Sequence, residues 1–301
     1  MSRLRPSDTA LRTALDTLYD GFNAHQSVSD PVWFVHRFAR NDDREVVAFI
    51  ASALAFGRVN SVINSIEGIL AAMGPSPAAF VRGFEPARDR QAFDHLVHRW
   101  TNGADFAALI WILHHMIERD GSIEGFFVGG LARDAVDVSE ALQSFSTRAL
   151  AIDRRPIYGR KQPRPGVAYF FSKPASGGAC KRLNLFLRWM VRQDRVDLGV
   201  WTKVRPAQLI VPLDTHIIRV GRCLRLTRYR SPGWRMAVDI TGSLRRLNPD
   251  DPAKFDFSMC HIGMMNACGF EKPFGDARCP LRGACHPPRR RTNGTRARVL
   301  T

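Results

Sequence analysis

Hydrophobic residues recur at helical spacing along most of the chain. The clearest case is the stretch NDDREVVAFIASALAFG, residues 41–57, which begins with polar residues and continues with apolar ones. A helical period places five apolar residues on one face of this segment: Val46, Phe49, Ile50, Ala53 and Leu54. Asn41 or Asp42 is the expected N-cap, because short polar side chains accept hydrogen bonds from the first turn. The pattern predicts a buried helix.

Further helices are predicted on the same grounds, with Gly, Pro or Asp at most of their boundaries. They cover residues 89–100, 105–121, 138–150, 180–192, 214–226, 234–247 and 254–268. No apolar stretch approaches the roughly 20 residues of a membrane-spanning helix, and the N-terminus lacks the apolar block of a secretory signal. We therefore expect an all-α, cytoplasmic protein.

The net charge of the chain indicates which class of binding partner to expect. Lysine and arginine number 44 against 28 aspartates and glutamates, a formal net charge of +16. Basic residues concentrate between Asp153 and Arg192, where Asp153 is the sole acidic residue. Residues 154–178 are also rich in Pro, Gly and Arg, which is typical of a long functional loop. The composition favours a polyanion as partner, and a basic surface without function is the alternative.

Two short motifs contain candidate catalytic residues. In VPLDTHIIRV, residues 211–220, an apolar lead-in precedes Asp214 and then a helix. Asp214 fits an N-cap, and a cap can also be catalytic. In SGGACKRLNLFLRWMVR, residues 176–192, a glycine pair precedes Lys181 at the start of a helix. Lys181 is either a surface lysine of the first turn or a residue aimed at a ligand.

Cysteines cluster near the C-terminus. Four of the six form the pattern C-x7-C-x10-C-x5-C: Cys260, Cys268, Cys279 and Cys285. A reducing cytoplasm disfavours disulfides, so the pattern favours a metal or iron–sulfur site. Zinc is possible, with His261 or His286 replacing a thiolate. Scattered buried thiols are the other alternative.

Four segments, in order along the chain, resemble the helix-hairpin-helix DNA glycosylases, the endonuclease III superfamily. DREVVAFIASALAFGRVNSVINSIEGIL resembles an early helix of that fold, and SGGACKRLNLFL resembles its hairpin and lysine-bearing helix. LDTHIIRV resembles its aspartate segment, and GMMNAC followed by RCPLRGAC resembles its iron–sulfur loop. The lysine helix and LNPDDPAKFDF also resemble a bacterial branch that forms a conserved domain of unknown function. The hairpin lacks the usual LPGVG signature.

This resemblance implies a base-excision DNA glycosylase with AP lyase activity that acts on a damaged or modified base flipped out of double-stranded DNA. Lys181 would attack the sugar C1′, and Asp214 would stabilise positive charge on the sugar. Backbone amides at Gly177 and Gly178 would hold a phosphate. Further contacts to DNA are expected from four arginines: Arg58, Arg182, Arg188 and Arg192.

The resemblance also implies a 4Fe-4S cluster, with zinc as the alternative. The superfamily motif is C-x6-C-x2-C-x5-C, and Cys268, Cys279 and Cys285 correspond to its first, third and fourth ligands. Cys260 is the candidate for the missing ligand. It lies two helical turns upstream of Cys268, about 12 Å at 1.5 Å per residue, so its helix would have to unwind or bend.

The expected architecture is a two-lobed helix-hairpin-helix fold with a C-terminal Cys-rich loop. Residues 41–192 form one lobe with the hairpin, residues 1–40 and 193–288 form the second lobe with the cysteines, and residues 289–301 form a disordered basic tail. We expect a monomer associated with the nucleoid. Two alternatives stay open: a non-catalytic nucleic-acid-binding relative, and an enzyme that acts on RNA or a modified nucleotide.

Overall fold

Helices dominate the structure, a computed structural model that describes residues 6–22, 30–264 and 279–285. The α-helices of these residues are α1 Pro6–Phe22, α2 Val32–His36, α3 Asn41–Ala53, α4 Val59–Met73, α5 Pro77–Arg82, α6 Pro86–Asp89, α7 Gly103–Asp120, α8 Ile123–Val128, α9 Ser139–Ala151, α10 Arg155–Tyr158, α11 Pro165–Phe170, α12 Lys181–Val191, α13 Thr215–Cys223, α14 Trp234–Leu247 and α15 Asp256–Met264. Short 3-10 turns span Arg90–Phe93, Pro174–Ser176 and Pro206–Gln208. The all-α class is confirmed at this level.

A small β-hairpin interrupts the helices where the sequence pattern predicts a helix over residues 89–100. Its strands are β1 Val97–His98 and β2 Thr101–Asn102, antiparallel, with Val97 opposite Asn102 and His98 opposite Thr101. The prediction is wrong here because tertiary contacts hold the segment extended. The buried His98 ring bonds the Ser65 hydroxyl at 2.9 Å and the Phe56 carbonyl at 3.0 Å.

Helix α3 lies at the centre of the fold. Residues 46–51 are each at most 1% exposed, so the helix is buried on all sides rather than on one face. It packs against α2 and α12. The N-cap is not the predicted Asn41 or Asp42. Arg40 is the N-cap residue, and Asn41 already begins the helix. The Asp42 carboxylate binds the Arg40 and Arg82 guanidinium groups instead of capping.

Helices from distant parts of the chain meet around α15. α1 packs against α14 and α15, and α13 packs along α15. An ion pair between Lys254 and Asp16, 2.7 Å, ties α1 to the turn before α15. Residues 154–178, expected as a loop, contain α10 and α11. Within the described residues no helix is long and apolar enough to cross a membrane.

Candidate active site

A cavity of about 860 Å³ opens where the end of α3, the start of α12, the start of α13 and one side of α15 converge. Lys181 and Asp214, 33 residues apart in sequence, both line it. Its wall also carries aromatic side chains, Phe56 and Tyr169, and a further carboxylate, Asp256. Concave sites with apolar walls and a few convergent polar groups are the usual form of small-ligand and active sites.

Lys181 is the first residue of α12 and is half-buried at the cavity wall. Its Nζ donates to the Ala55 carbonyl across 3.5 Å, which ties the start of α12 to the end of α3. Cys180 before it adopts a left-handed backbone conformation, φ 49°, and turns the chain into the helix. Cys180 is buried, and burial raises the pKa of its thiol to about 11, which favours the protonated form over the nucleophilic thiolate.

The glycine pair before α12 forms an exposed turn. Gly177 has a φ of 77°, and a Cβ built at Gly177 or Gly178 would meet no atom within 4 Å. The Gly177 carbonyl accepts from the Trp234 amide at 2.9 Å, which fixes the turn to the start of α14. Gly178 lines the cavity, so its backbone is accessible from the same side as Lys181.

Asp214 caps helix α13, as the sequence predicts. Its Oδ1 accepts from the Ile217 amide at 2.7 Å, while its Oδ2 accepts from the Cys260 thiol at 3.2 Å. Burial first, and then the negative charge of Asp214, raise the pKa of Cys260 far above its usual range. Cys260 is therefore a protonated donor that holds the carboxylate in place.

Cys260, an expected metal ligand, makes this contact to Asp214 in the structure. Helix α15 stays helical from Asp256 to Met264 and does not unwind at Cys260. Cys279 and Cys285 line a separate cavity of about 10 Å³, together with Cys223 at the end of α13. Cys268 lies outside the described residues. Within residues 6–22, 30–264 and 279–285, no three His, Cys, Asp or Glu side chains form a group that could hold a metal ion.

Two of the arginines expected to contact phosphate are buried instead. Arg188 and Arg192 are each 3% exposed. Arg188 pairs with Asp256 and, at 3.1 Å, with Asp197. Arg192 pairs with Asp197 and, at 2.9 Å, with Asp251. Their guanidinium groups are committed to these carboxylates in the structure, whereas the sequence predicts contacts to phosphate for both.

Arg182 is also buried and, like Arg188, lines the cavity. Its guanidinium lies 3.4 Å from the centre of the Tyr169 ring and donates to the carbonyls of Tyr169 and Ala53. Burial lowers its pKa to about 10. Among the described residues no carboxylate pairs with Arg182, unlike Arg188. Arg58, the residue before α4, is exposed beside the cavity lining residues Gly57 and Val59.

Sequence reasoning missed two polar groups of the cavity. Nδ1 of His216 and Oδ1 of Asp256 are buried and, among the described residues, have no hydrogen-bond partner. His216 follows Asp214 closely in the predicted motif, so its position was available as a signal. Asp256 carried no such signal, because only the packing of α15 against α12 and α13 brings it to the site. Unpartnered buried polar atoms favour a site built for a polar ligand.

Comparison with known proteins adds one match. The sequence model of a family described as "Protein of unknown function (DUF2400)" matches residues 30–265, which include both Lys181 and Asp214. No curated protein and no solved structure matches the chain.

Proposed function

The chain belongs to the family DUF2400, whose description assigns no activity, and from the geometry of its cavity we propose that it is a base-excision DNA glycosylase with associated AP lyase activity. The observation that carries the proposal is that Lys181 and Asp214 line one cavity. An amine and a carboxylate at one site can cleave an N-glycosidic bond through a covalent intermediate, the amine as nucleophile and the carboxylate as stabiliser of positive charge.

The local geometry supports the finer proposal of a helix-hairpin-helix glycosylase fold. The exposed turn at Gly177 and Gly178 leads directly into α12, and Lys181 is the first residue of that helix. Backbone amides at such a turn can approach a phosphate closely, because glycine has no side chain to obstruct it. A phosphate held there would bring the neighbouring sugar of the DNA strand toward the cavity.

The proposed reaction assigns one role to each residue. The Lys181 amine attacks C1′ of the sugar, the C1′–N bond to the base breaks, and the base leaves with that electron pair and takes up a proton. Asp214 stabilises the positive charge that develops on the sugar. The attached amine loses a proton to solvent, and ring opening, with protonation of the ring oxygen, gives a Schiff base between Lys181 and C1′. Loss of a C2′ proton to solvent then expels the 3′ phosphate, which leaves with the C3′–O electron pair, and the strand is cleaved. The cavity volume of about 860 Å³ accommodates a flipped nucleotide.

The 4Fe-4S cluster, with zinc as the alternative, is part of this proposal, with Cys260, Cys268, Cys279 and Cys285 as its ligands. The Cys260 thiol donates to Asp214, so ligation would replace that hydrogen bond. Among the described residues no three His, Cys, Asp or Glu side chains form a group that could hold a metal ion, so the site needs Cys268, which lies outside them. Thiolates are the donors that such groups use. No step of the reaction above depends on this group.

The experiment that tests the proposed function uses a panel of duplexes, each with one damaged or modified base. The protein is expected to release one class of base and to form an adduct that borohydride reduction makes permanent. Lys181→Gln protein is expected to bind the same duplex and form no adduct. Tight DNA binding without base release from any duplex would instead favour the non-catalytic alternative, and release from RNA alone would favour the RNA enzyme.

A further inference from the structure

Exposed apolar side chains concentrate around the mouth of the cavity. Five large hydrophobic residues of the described chain are exposed: Val59, Val97, Trp100, Val136 and Met264. Val59 and Met264 line the cavity, and Val97 and Trp100 lie on the β1–β2 hairpin. Leaving apolar area in water has a cost, so an exposed patch beside a cavity favours a binding surface.

The fold holds the tip of the hairpin in a fixed position. Arg99 and Trp100 form the two-residue turn, and Arg99 has a left-handed backbone with a φ of 55°. Gly57, φ 101°, allows this close approach, because a Cβ there would lie 3.1 Å from Cδ of Arg99. The buried His98 anchors the base of the hairpin to the end of α3 through the Phe56 carbonyl.

The Trp100 ring packs against two aromatic rings of the cavity wall, and Trp100 remains 53% exposed. Its ring centre lies 5.1 Å from that of Phe56 and 4.9 Å from that of Tyr169. Phe56 and Tyr169 both line the cavity. The indole therefore packs on two cavity-lining rings and keeps about half of its surface in contact with solvent, area on which a planar group could stack.

Positive charge accompanies these rings. The Arg99 guanidinium lies 5.6 Å from the Trp100 ring, and Arg99 is itself exposed. Arg58 is exposed on the adjoining turn, in a chain whose net charge is +16. Aromatic rings interleaved with exposed cations are the combination by which proteins bind unpaired nucleic acid, because bases stack on the rings while the cations contact phosphates.

We propose that Trp100 is a stacking platform for an unpaired base next to the flipped nucleotide, so that the preferred substrate is DNA with an unpaired stretch. The inference rests on the proposed function for the identity of the ligand as DNA. It concerns binding outside the cavity and requires no chemistry at Lys181.

The test compares two fluorescently labelled DNAs of equal length and sequence on the bound strand, one fully paired and one with a short unpaired bubble. Trp100→Ala is expected to weaken binding of the bubble duplex about 5- to 150-fold, the effect of one lost base stack, and to change binding of the paired duplex far less. Val136→Ala, at an exposed site that does not line the cavity, is the control and should leave both affinities unchanged. Trp100→Phe keeps a ring for stacking and should retain most of the bubble affinity.

A second measurement uses wild-type protein, so it does not depend on whether the Trp100→Ala variant folds. The base analogue 2-aminopurine, placed in the bubble, is expected to lose fluorescence on binding wild-type protein because it stacks. Unquenched 2-aminopurine, or equal losses of affinity for bubble and paired DNA in Trp100→Ala, would overturn the inference. Tighter binding of the same bubble in RNA would overturn the assignment to DNA. Lys181→Gln protein should retain the bubble preference, so a failure of the proposed catalysis and a failure of the stacking platform give different results.

Discussion

Asp214 makes two hydrogen bonds through opposite oxygens of one carboxylate, to the Ile217 amide and to the Cys260 thiol. A carboxylate held from both sides keeps its orientation during a reaction and needs no rearrangement when charge develops on the sugar. Lys181, tied to the Ala55 carbonyl, begins α12 and lines the same cavity. Each of the two residues therefore has its own proposed role: Lys181 attacks the sugar, and Asp214 stabilises the positive charge.

An abasic DNA substrate distinguishes these roles, because the base is already absent. Asp214→Asn is expected to lose base release and still form a borohydride-trapped adduct with abasic DNA. Lys181→Gln is expected to form no adduct on either substrate. Adduct yield on denaturing gels measures both. Normal base release by Asp214→Asn would contradict the role of its charge.

The role of a single residue could be predicted where it depends only on the neighbouring residues in the sequence. The Asp214 cap follows from an aspartate placed directly before a helix. The burial of Arg188 and Arg192 was not predictable, because their partners Asp197, Asp251 and Asp256 lie outside α12 and come together only in the folded chain. A local excess of basic residues gives no information on which guanidinium groups face inward.

Helices α12 and α15 are joined by the buried pair of Arg188 and Asp256. Burial raises the pKa of Asp256 to about 7 from its ordinary value of 3.8, although the charge of Arg188 opposes this shift. The folded protein therefore binds a proton at pH values where the unfolded chain does not. This group stabilises the fold fully at pH below about 3.8, and its contribution is lost as the pH rises through about 7.

Urea unfolding at pH 5 and pH 7.5 measures this effect. The free energy of unfolding of wild-type protein is expected to fall between the two values, and Asp256→Asn is expected to show a smaller fall because its amide does not titrate. Part of the fall should remain in the variant, since burial also raises the pKa of Asp197, to about 6. An equal or larger fall in Asp256→Asn would show that Asp256 ionises normally.

Helices α13 and α15 each carry a cysteine, Cys223 and Cys260, and these two residues line different cavities. Cys260 belongs to the proposed set of metal ligands and Cys223 does not, so metal content should respond differently to their loss. Cys260→Ser is expected to lower the iron or zinc content of purified protein, while Cys223→Ser keeps the wild-type content, as measured by elemental analysis. Unchanged metal content in Cys260→Ser would remove Cys260 from the set of ligands.

Most of the longer helices could be predicted from hydrophobic period, including α14 at the same bounds, residues 234–247. The β1–β2 hairpin could not, because its residues fit a helical pattern and are held extended by His98 contacts to Ser65 and Phe56. The set of residues that line the cavity could not be predicted in detail from the sequence. Its wall combines elements distant in sequence, and the role of Trp100 depends on Tyr169, which lies 69 positions further along the chain.

The charge of the whole molecule, +16, predicts that DNA affinity falls steeply with salt. The structure limits which arginines contribute, since Arg188 and Arg192 are buried. Arg58→Gln is expected to reduce the slope of log affinity against log salt by about 0.9, the effect of one phosphate contact. Arg133→Gln, at an exposed position that does not line the cavity, serves as the matched control and should keep the wild-type slope. Equal slopes for Arg58→Gln and wild type would remove Arg58 from the interface.

The molecule as a whole brings one lysine, Lys181, to a cavity that also holds Asp214. The most direct measurement is the identity of the residue that DNA captures. Borohydride-trapped adduct is digested with protease and nuclease, and the peptide that carries the sugar remnant is sequenced by mass spectrometry. We expect the remnant on Lys181, at the start of the segment Lys181–Val191. A remnant on Lys173, the nearest upstream lysine, or on any other amine would contradict it.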